Sequence, residues 1–258
     1  AEARARLSWD RRRGLELKGQ TLVRDPRWHG AQADALETQV YIRDRQLFLE
    51  DVSLRRGESG RAWGELWLRF DPRADGEDFA MCFQGERLPI EVGLKAADLD
   101  LPVTGLGSGW VRLHGPYDRL KLEAEGQAES ARVYGVAIPA LRATLAYDLA
   151  EERIRIPELR CSESVEGLGR GEVPPSGLLA LTGALELDLA RQRWQGRLTG
   201  NVDSDRLGLG WARFQGWLDA RLDGPWAQPF GPWTCPLGQL SLRGGRVFFG
   251  RQSLEGLE

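Results

Sequence analysis

Lysine, histidine, asparagine and methionine are nearly missing from this chain of 258 residues. Three lysines stand against thirty-two arginines, and there are two histidines (His29 and His114), one asparagine (Asn201) and one methionine. Scarce asparagine fits a heat-adapted protein but scarce lysine does not, so the skew reads either as habitat or as genome composition. Two histidines leave little room for a serine triad, and Cys82, Cys161 and Cys235 lie far apart with no Cys-x-x-Cys, which argues against a zinc site or a disulfide framework. One long-range disulfide stays open; the simpler reading is cysteine as a small apolar filler.

Long apolar runs are missing as well. No stretch approaches the roughly eighteen to twenty apolar residues that cross a bilayer, and Ala1 to Gly14 lacks the apolar core of a signal peptide. The chain has no initiator methionine and ends directly after a strand-like phrase, so it reads as a fragment, with room outside it for any targeting signal or membrane anchor. A formal net charge of −3 gives no general attraction for nucleic acid, which is not expected as a partner. Arg11, Arg12 and Arg13 read as a solvated turn.

Signatures of catalysis are poor. Gly105-Leu106-Gly107-Ser108-Gly109 and Gly167-Leu168-Gly169-Arg170-Gly171 look like phosphate loops, but no Gly-Lys dipeptide completes a P-loop and no helix follows at dinucleotide-binding spacing. Ser108 lies in no Gly-x-Ser-x-Gly phrase, and paired acids such as Glu151 and Glu152 are spaced for solvent. The expectation is a protein that is not an enzyme, with no catalytic residue, cofactor or metal.

What the chain does contain is breakers and alternation. With 32 glycines and 13 prolines, a breaker falls about every six residues, which suits strands and not helices. Within the glycine-free stretch Ala31 to Arg56, Val40, Ile42, Leu47, Leu49, Val52 and Leu54 still fall in period-two pairs, leaving only Ala31 to Glu37 for a helical turn or two. The phrase Gly-x-Leu-x-Leu recurs as Gly64 to Leu68, Gly183 to Leu187 with Leu189 beyond, and Gly238 to Leu242. Strand side chains alternate between faces, so each copy makes a ribbon with an apolar side and a mostly polar side, begun by a glycine that turns the chain. About twenty short strands are expected on this basis. A break at Asp71 to Asp78 divides them into two β-rich segments, 1–78 and 79–258, read as continuous with one another.

A longer repeat spans about 35 residues. Leu113-His114-Gly115-Pro116-Tyr117 matches Leu222-Asp223-Gly224-Pro225-Trp226; Leu120 and Leu122 match Leu240 and Leu242; Arg132-Val133-Tyr134-Gly135 matches Arg246-Val247-Phe248-Phe249-Gly250. Repeated strand units that cannot each close a core suggest an elongated array. The texture of Gly-Pro, Leu-x-Leu, Gly, Arg-Val-aromatic, and then a strand such as Leu141 to Asp148, resembles the AsmA-like superfamily, which includes the TamB proteins of Gram-negative envelopes. The resemblance is best from Gly105 onward.

It implies an all-β, elongated, curled gutter of short strands in the periplasm, within a longer protein anchored in the inner membrane. An apolar trough there would hold or conduct phospholipid toward the outer membrane, with an outer-membrane protein as a second partner. Burying an acyl chain recovers roughly 0.8 kcal/mol per CH₂, and twenty strands in one ladder would run on the order of 100 Å. Alternation selects the candidate groove residues: Leu66, Leu68, Phe70, Val111, Leu113, Leu120, Leu122, Leu141, Leu145, Leu185, Leu187, Leu189, Leu218, Leu222, Leu240, Leu242, Val247 and Phe249. Glu65, Arg69, Glu186, Asp188 and Arg243 are expected to face water. Trp63, Trp67, Trp110 and Trp217 fall opposite neighbouring leucines, as an outer cover, a rim, or a carbohydrate or protein contact. The same apolar faces would equally suit a closed sandwich or barrel. A binding β-array (passenger, adhesin or assembly scaffold) and a β-sandwich glycan enzyme stay open beside the lipid reading.

Overall fold

The structure is a computed structural model that describes residues 2–10, 14–28, 31–58, 60–72, 76–96, 102–133, 136–169, 177–203, 213–225, 240–249 and 252–257. Its strands are β1 (Glu2–Asp10), β2 (Gly14–Arg24), β3 (Arg27–Trp28), β4 (Ala31–Gln32), β5 (Ala35–Arg43), β6 (Gln46–Arg56), β7 (Gly60–Arg69), β8 (Phe79–Pro89), β9 (Val103–Gly115), β10 (Lys121–Val133), β11 (Val136–Asp148), β12 (Arg153–Ser162), β13 (Ala180–Asp188), β14 (Arg193–Asp203), β15 (Arg213–Pro225), β16 (Leu240–Phe249) and β17 (Gln252–Leu257). One helix, α1 (Ile90–Ala96), and one 3-10 turn (Glu166–Leu168) complete the described elements. Strands β3 and β4 pair with each other; the other fifteen form one sheet in sequence order, with β1 and β17 at its two edges. The fold is all-β, and the sheet does not close into a barrel.

The expected helical turn at Ala31 to Glu37 does not form. Residues 31–32 lie in β4 and β5 begins at Ala35, because the period-two pattern extends back to Leu36 and pairs it with Leu54. The helix falls instead at Ile90–Ala96, with Glu91 in its first turn and Lys95 in its last, as the backbone dipole favours.

Fewer, longer strands replace the expected twenty, for two reasons. The first is the bulge. Leu47 and Leu49 are odd-numbered and Val52 and Leu54 even-numbered, which reads as two strands. In the structure β6 runs through both, and the register slips between Leu49 and Val52 against Gly64 and Leu66 of β7. Asp51 sits there at φ 50°, in the left-handed region, so one extra residue restores all four side chains to the same face. The Thr38 hydroxyl donates to the Glu50 carbonyl beside the slip (3.1 Å) and Gln39 Nε2 donates to Asp51 Oδ2 (2.7 Å). Comparable slips occur between Ile156 and Leu159 of β12 and on β16 opposite Gln215 to Trp217.

The second reason is glycine. The recurring phrase predicts turns at Gly64 and Gly183, yet both lie inside strands, in β7 and β13. A β-carbon at Gly64 would lie 2.8 Å from Phe83 Cα, and one at Gly183 would lie 2.7 Å from Leu198 Cδ2 and run into the Arg197 carbonyl. Neighbouring backbone therefore crowds the apolar side at these points, and glycine is what permits the approach.

Chain contacts group the molecule into two units: unit 1 comprises Ala1–Leu101, Gly107–Ala124 and Asp148–Ala150; unit 2 comprises Pro102–Leu106, Glu125–Tyr147 and Glu151–Glu258. Residues 71–78 are the β7–β8 connection inside unit 1, where the Asp78 amide donates to the Gly115 carbonyl (3.1 Å). In each unit the principal element contacts are between ladder neighbours, supplemented by α1 on β4 and β8 in unit 1 and by the 3-10 turn on β12 in unit 2.

The repeat has a plain structural meaning. Both β9 and β15 are thirteen residues long and end at a Gly-Pro phrase, Gly115–Pro116 and Gly224–Pro225, after which the chain returns as β10 or β16. Each copy is one such strand pair. Tyr134, Gly135, Trp226 and Gly250 lie outside the described residues, as do Arg11 to Arg13, His29, Arg170, Gly171, Cys235 and Gly238.

Candidate functional site: an apolar sheet face

Directly paired residues in an antiparallel ladder project to the same side, so the registers show which residues share a face. In unit 1, Leu17 pairs with Ile42, Ile42 with Leu47, Leu47 with Leu68 and Leu68 with Phe79. The next row runs Gly19, Val40, Leu49, Leu66 and Met81 by the same pairings. Leu36, Leu54, Ala62 and Gly85 form a third row beyond the bulge. One apolar face thus passes unbroken across five strands, because each bulge corrects the parity that it would otherwise reverse.

The opposite side of these strands is polar with an aromatic row. Lys18, Tyr41, Phe48, Trp67 and Ala80 are successive partners, and the Lys18 ammonium lies 4.8 Å from the centre of the Tyr41 ring. Its hydrogen bond to Tyr41 and the tyrosine's charge raise the Lys18 pKa. Glu65 shares this side and is exposed; Arg69, partnered with Gln46, is half-buried. Trp63 is exposed here, with the Arg61 guanidinium 5.4 Å from its ring centre.

Unit 2 repeats the design. Ile154 pairs with Leu187, Leu187 with Trp194, Ile156 with Leu185, and Leu185 with Gly196. Gly183 pairs with Leu198 and Leu198 with Ala220; Leu181 pairs with Gly200, Gly200 with Leu218 and Leu218 with Leu242. At Gly183–Leu198, Leu185–Gly196, Leu198–Ala220, Leu181–Gly200 and Gly200–Leu218 a leucine faces a glycine or alanine on the next strand, so the large side chain occupies the room that the small one leaves. The other side carries charges in cross-strand pairs: Arg197 bonds Asp219 through Nε (2.8 Å) and Nη2 (2.6 Å), and Arg193 bonds Asp223 (2.8 Å). Asp219 raises the Arg197 pKa through that hydrogen bond and its charge. Glu186 and Asp188 belong to this side and are half-buried, with Glu186 paired to Arg153 at 3.2 Å. Trp217 lies there too, 47% exposed, between Asn201 and Arg243 in register.

The candidate groove residues take these places. Leu66 and Leu68 are half-buried on the face of unit 1, and Phe70, just past β7, is 56% exposed. Val111 and Leu113 share one side of β9, half-buried, while Trp110 and Arg112 on the other side are exposed. Leu122 is half-buried between exposed Lys121 and Glu123; Leu120 precedes β10 and its carbonyl accepts from the Leu149 amide (3.1 Å). In unit 2, Leu141 and Leu145 share a side of β11, and Leu185 and Leu187 lie on the β13 face described above. Leu189 stands in the turn after β13, its amide bonded to the Glu152 carbonyl (2.9 Å). Leu222, Leu240, Leu242, Val247 and Phe249 have described backbone on β15 and β16, and register assigns them to the face of Leu185 and Leu218; their side chains lie outside the described residues.

Burial is uneven along the strands. In unit 1 the turns at Asp44–Arg45 and 116–120 mark one rim, the hairpin rim, and β3, β4 and α1 stand at the other, the insertion rim; in unit 2 the turn 189–192 marks that unit's own hairpin rim, and residues 163–169 and 177–179 stand at its insertion rim. Near the insertion rim Ala33, Val52 and Ala62 are buried in unit 1. In unit 2 Cys161, Leu179, Leu181 and Val202 form a buried cluster there, joined by Ile138, Leu141 and Leu218. Toward the hairpin rims Leu47, Leu68, Leu185, Leu187 and Trp194 are half-buried while Ile154, Asp78 and Gly115 are buried, and Leu36 and Leu54, nearer the insertion rim than Val52, are half-buried as well. Alternation carries no sign of this unevenness, because it is the same at both ends of a strand.

Burial pushes the Cys161 thiol up to about 12, so it is an inert filler; Cys82, on the polar side across from Glu65, is exposed. Among the described residues no group of three or more His, Cys, Asp and Glu side chains is placed to hold a metal, and no helix is long and apolar enough to cross a membrane. Comparison with known proteins finds no matching family, curated protein or solved structure.

Proposed function

We propose that the apolar face holds or conducts the acyl chains of phospholipid, in a segment of an AsmA-like or TamB-like protein that bridges the inner and outer membranes across the periplasm. The observation that carries the reading is the pairing of continuity with incomplete burial. In unit 1 the rows from Leu17 to Phe79 and from Gly19 to Met81 are apolar throughout, yet Leu47, Leu49, Leu66 and Leu68 stay half-buried. Leaving such side chains in contact with water forfeits part of the roughly 1.5–3 kcal/mol that burying each would return. A hydrocarbon chain laid across the rows supplies that burial without asking for a hydrogen bond. The proposal gives the chain no covalent chemistry and no cofactor, and a longer protein supplies the membrane anchor.

Native mass spectrometry of the purified chain tests it. Co-purified phospholipid, removed by detergent exchange and regained from vesicles, is the expected result. A chain that never carries lipid, and whose residues 66 and 185 never crosslink to a photoreactive acyl probe, would return the faces to the role of an ordinary β core.

A further inference from the structure

We infer that the hairpin rim of unit 1 seats a zwitterionic headgroup, a phosphodiester bearing an ammonium, while the acyl chain of the same lipid lies on the apolar face behind it. This rests on the lipid reading above. Phe70 continues the alternation of Leu66 and Leu68 to the rim, and its amide stays bonded to the Arg45 carbonyl (2.8 Å), so the apolar face leads out to an aromatic ring that is 56% exposed. Tyr117, 42% exposed, donates its hydroxyl to the Arg69 carbonyl (2.7 Å), which ties a second aromatic to the residue before Phe70. Aromatic side chains with one apolar and one wet side suit the level of a lipid headgroup.

Charges of both signs stand with this pair. Arg45 Nη1 lies 2.9 Å from Asp71 Oδ2, with both side chains mostly exposed, and Arg119 Nε lies 3.6 Å from Asp118 Oδ1, also exposed. Exposed pairs of this kind are weak and exchange readily. A guanidinium that leaves a carboxylate for a phosphodiester keeps its fork of N–H donors satisfied, and the released Asp71 or Asp118 then meets the ammonium. A headgroup with phosphate alone would leave those carboxylates facing a like charge. At the opposite rim of the same unit α1 packs on β4 and β8, and Ala33, Val52 and Ala62 are buried.

The experiment uses the full chain and three probes with the same diazirine-bearing acyl chain: a phosphatidylethanolamine, a phosphatidylglycerol and a diacylglycerol without headgroup, each in detergent micelles. Expected are crosslinks mapping to 66–70 and 79–83, with the ethanolamine probe captured about fivefold more than the glycerol probe. Arg45→Glu should abolish that preference and leave diacylglycerol capture unchanged, with a thermal midpoint like that of the unchanged chain because the pair is exposed. Equal capture of the two phospholipids by the unchanged chain, or a preference that survives Arg45→Glu, would overturn the headgroup inference while the acyl reading stands. Failure to capture any of the three probes would overturn both.

Discussion

Gly183 stands directly across from Leu198, and a β-carbon added at Gly183 would lie 2.7 Å from Leu198 Cδ2, a distance that real β-carbons essentially never show. The leucine fills the space in front of the glycine, and the Arg197 carbonyl closes in beside it. A similar relation holds between Gly196 and Leu185, where the added atom would lie 3.1 Å from Leu185 Cα. These pairs let strands β13 and β14 approach closely on the apolar side.

Gly183→Val should therefore destabilise unit 2 by roughly 1–3 kcal/mol or more, the range for overpacking, since backbone as well as side chain must move. Gly93→Ala in α1 is the control: its β-carbon would meet nothing within 4 Å, and alanine is the better helix former by about 0.5–1 kcal/mol. Denaturant melts of the two variants should move in opposite directions.

Leu187→Glu separates a trough from a closed core. Leu187 is half-buried, between Ile154 and Trp194 in register. In an open face the carboxylate stays hydrated and the fold survives, with the thermal midpoint lowered by only a few degrees, while crosslinking of an acyl probe through a photoreactive residue at position 185 is lost. Collapse of the fold, with no lipid captured by the unchanged chain, would identify a closed core.

Deleting Asp51 tests the bulge. Without the extra residue Val52 and Leu54 would turn to the polar side of β6 and Ser53 to the apolar side. Two apolar side chains would lose their burial, at roughly 1.5–3 kcal/mol each, so the deletion should cost several times more than Asp51→Gly, which keeps the left-handed backbone at φ 50°. Equal melts for the two variants would contradict this account of the parity switch.

Cysteine chemistry tests the difference between the two sides of the sheet, since Cys82 pairs with Glu65 and Cys161 with Leu181. The thiol of Cys161 is pushed up to about 12 by burial, while Cys82 is exposed. Iodoacetamide at pH 8 should label Cys82 in the native chain and leave Cys161 untouched, as read by peptide mapping. Because the folded pKa lies above the unfolded value near 8.5, the folded state holds more protons between about pH 8.5 and 12, and stability must fall as pH rises through that window. The slope is at most about 1.4 kcal/mol per pH unit from this one thiol, and Cys161→Ala should remove that share of the alkaline loss.

Much of the fold was legible in the chain. Leu66 and Leu68, or Leu185 and Leu187, announce a one-sided strand by alternation alone, and the matching Gly-Pro phrases announce equivalent strand ends. Other features were not legible, for identifiable reasons. The parity change at Asp51 looked like the end of a strand, because a bulge and a break leave the same mark in a one-dimensional pattern. Gly64 and Gly183 looked like turns, because a glycine needed for close approach and a glycine needed for a turn are the same letter. The helix at Ile90–Ala96 hid behind Pro89, and the rim formed by Phe70 and Tyr117 joins residues 47 positions apart.

What the sequence determined by itself is therefore the local part of this protein: strands over helices, and an apolar side and a polar side on each. These follow from alternation and composition, which act over a few residues. Only the tertiary structure decided that within each unit the apolar sides of successive strands join into one face, that bulges keep them in phase, that glycines let neighbouring backbone approach closely on that face, and that burial is uneven along the strands. Those properties depend on register and on atoms brought together from distant strands, where steric contact and not local preference sets the outcome.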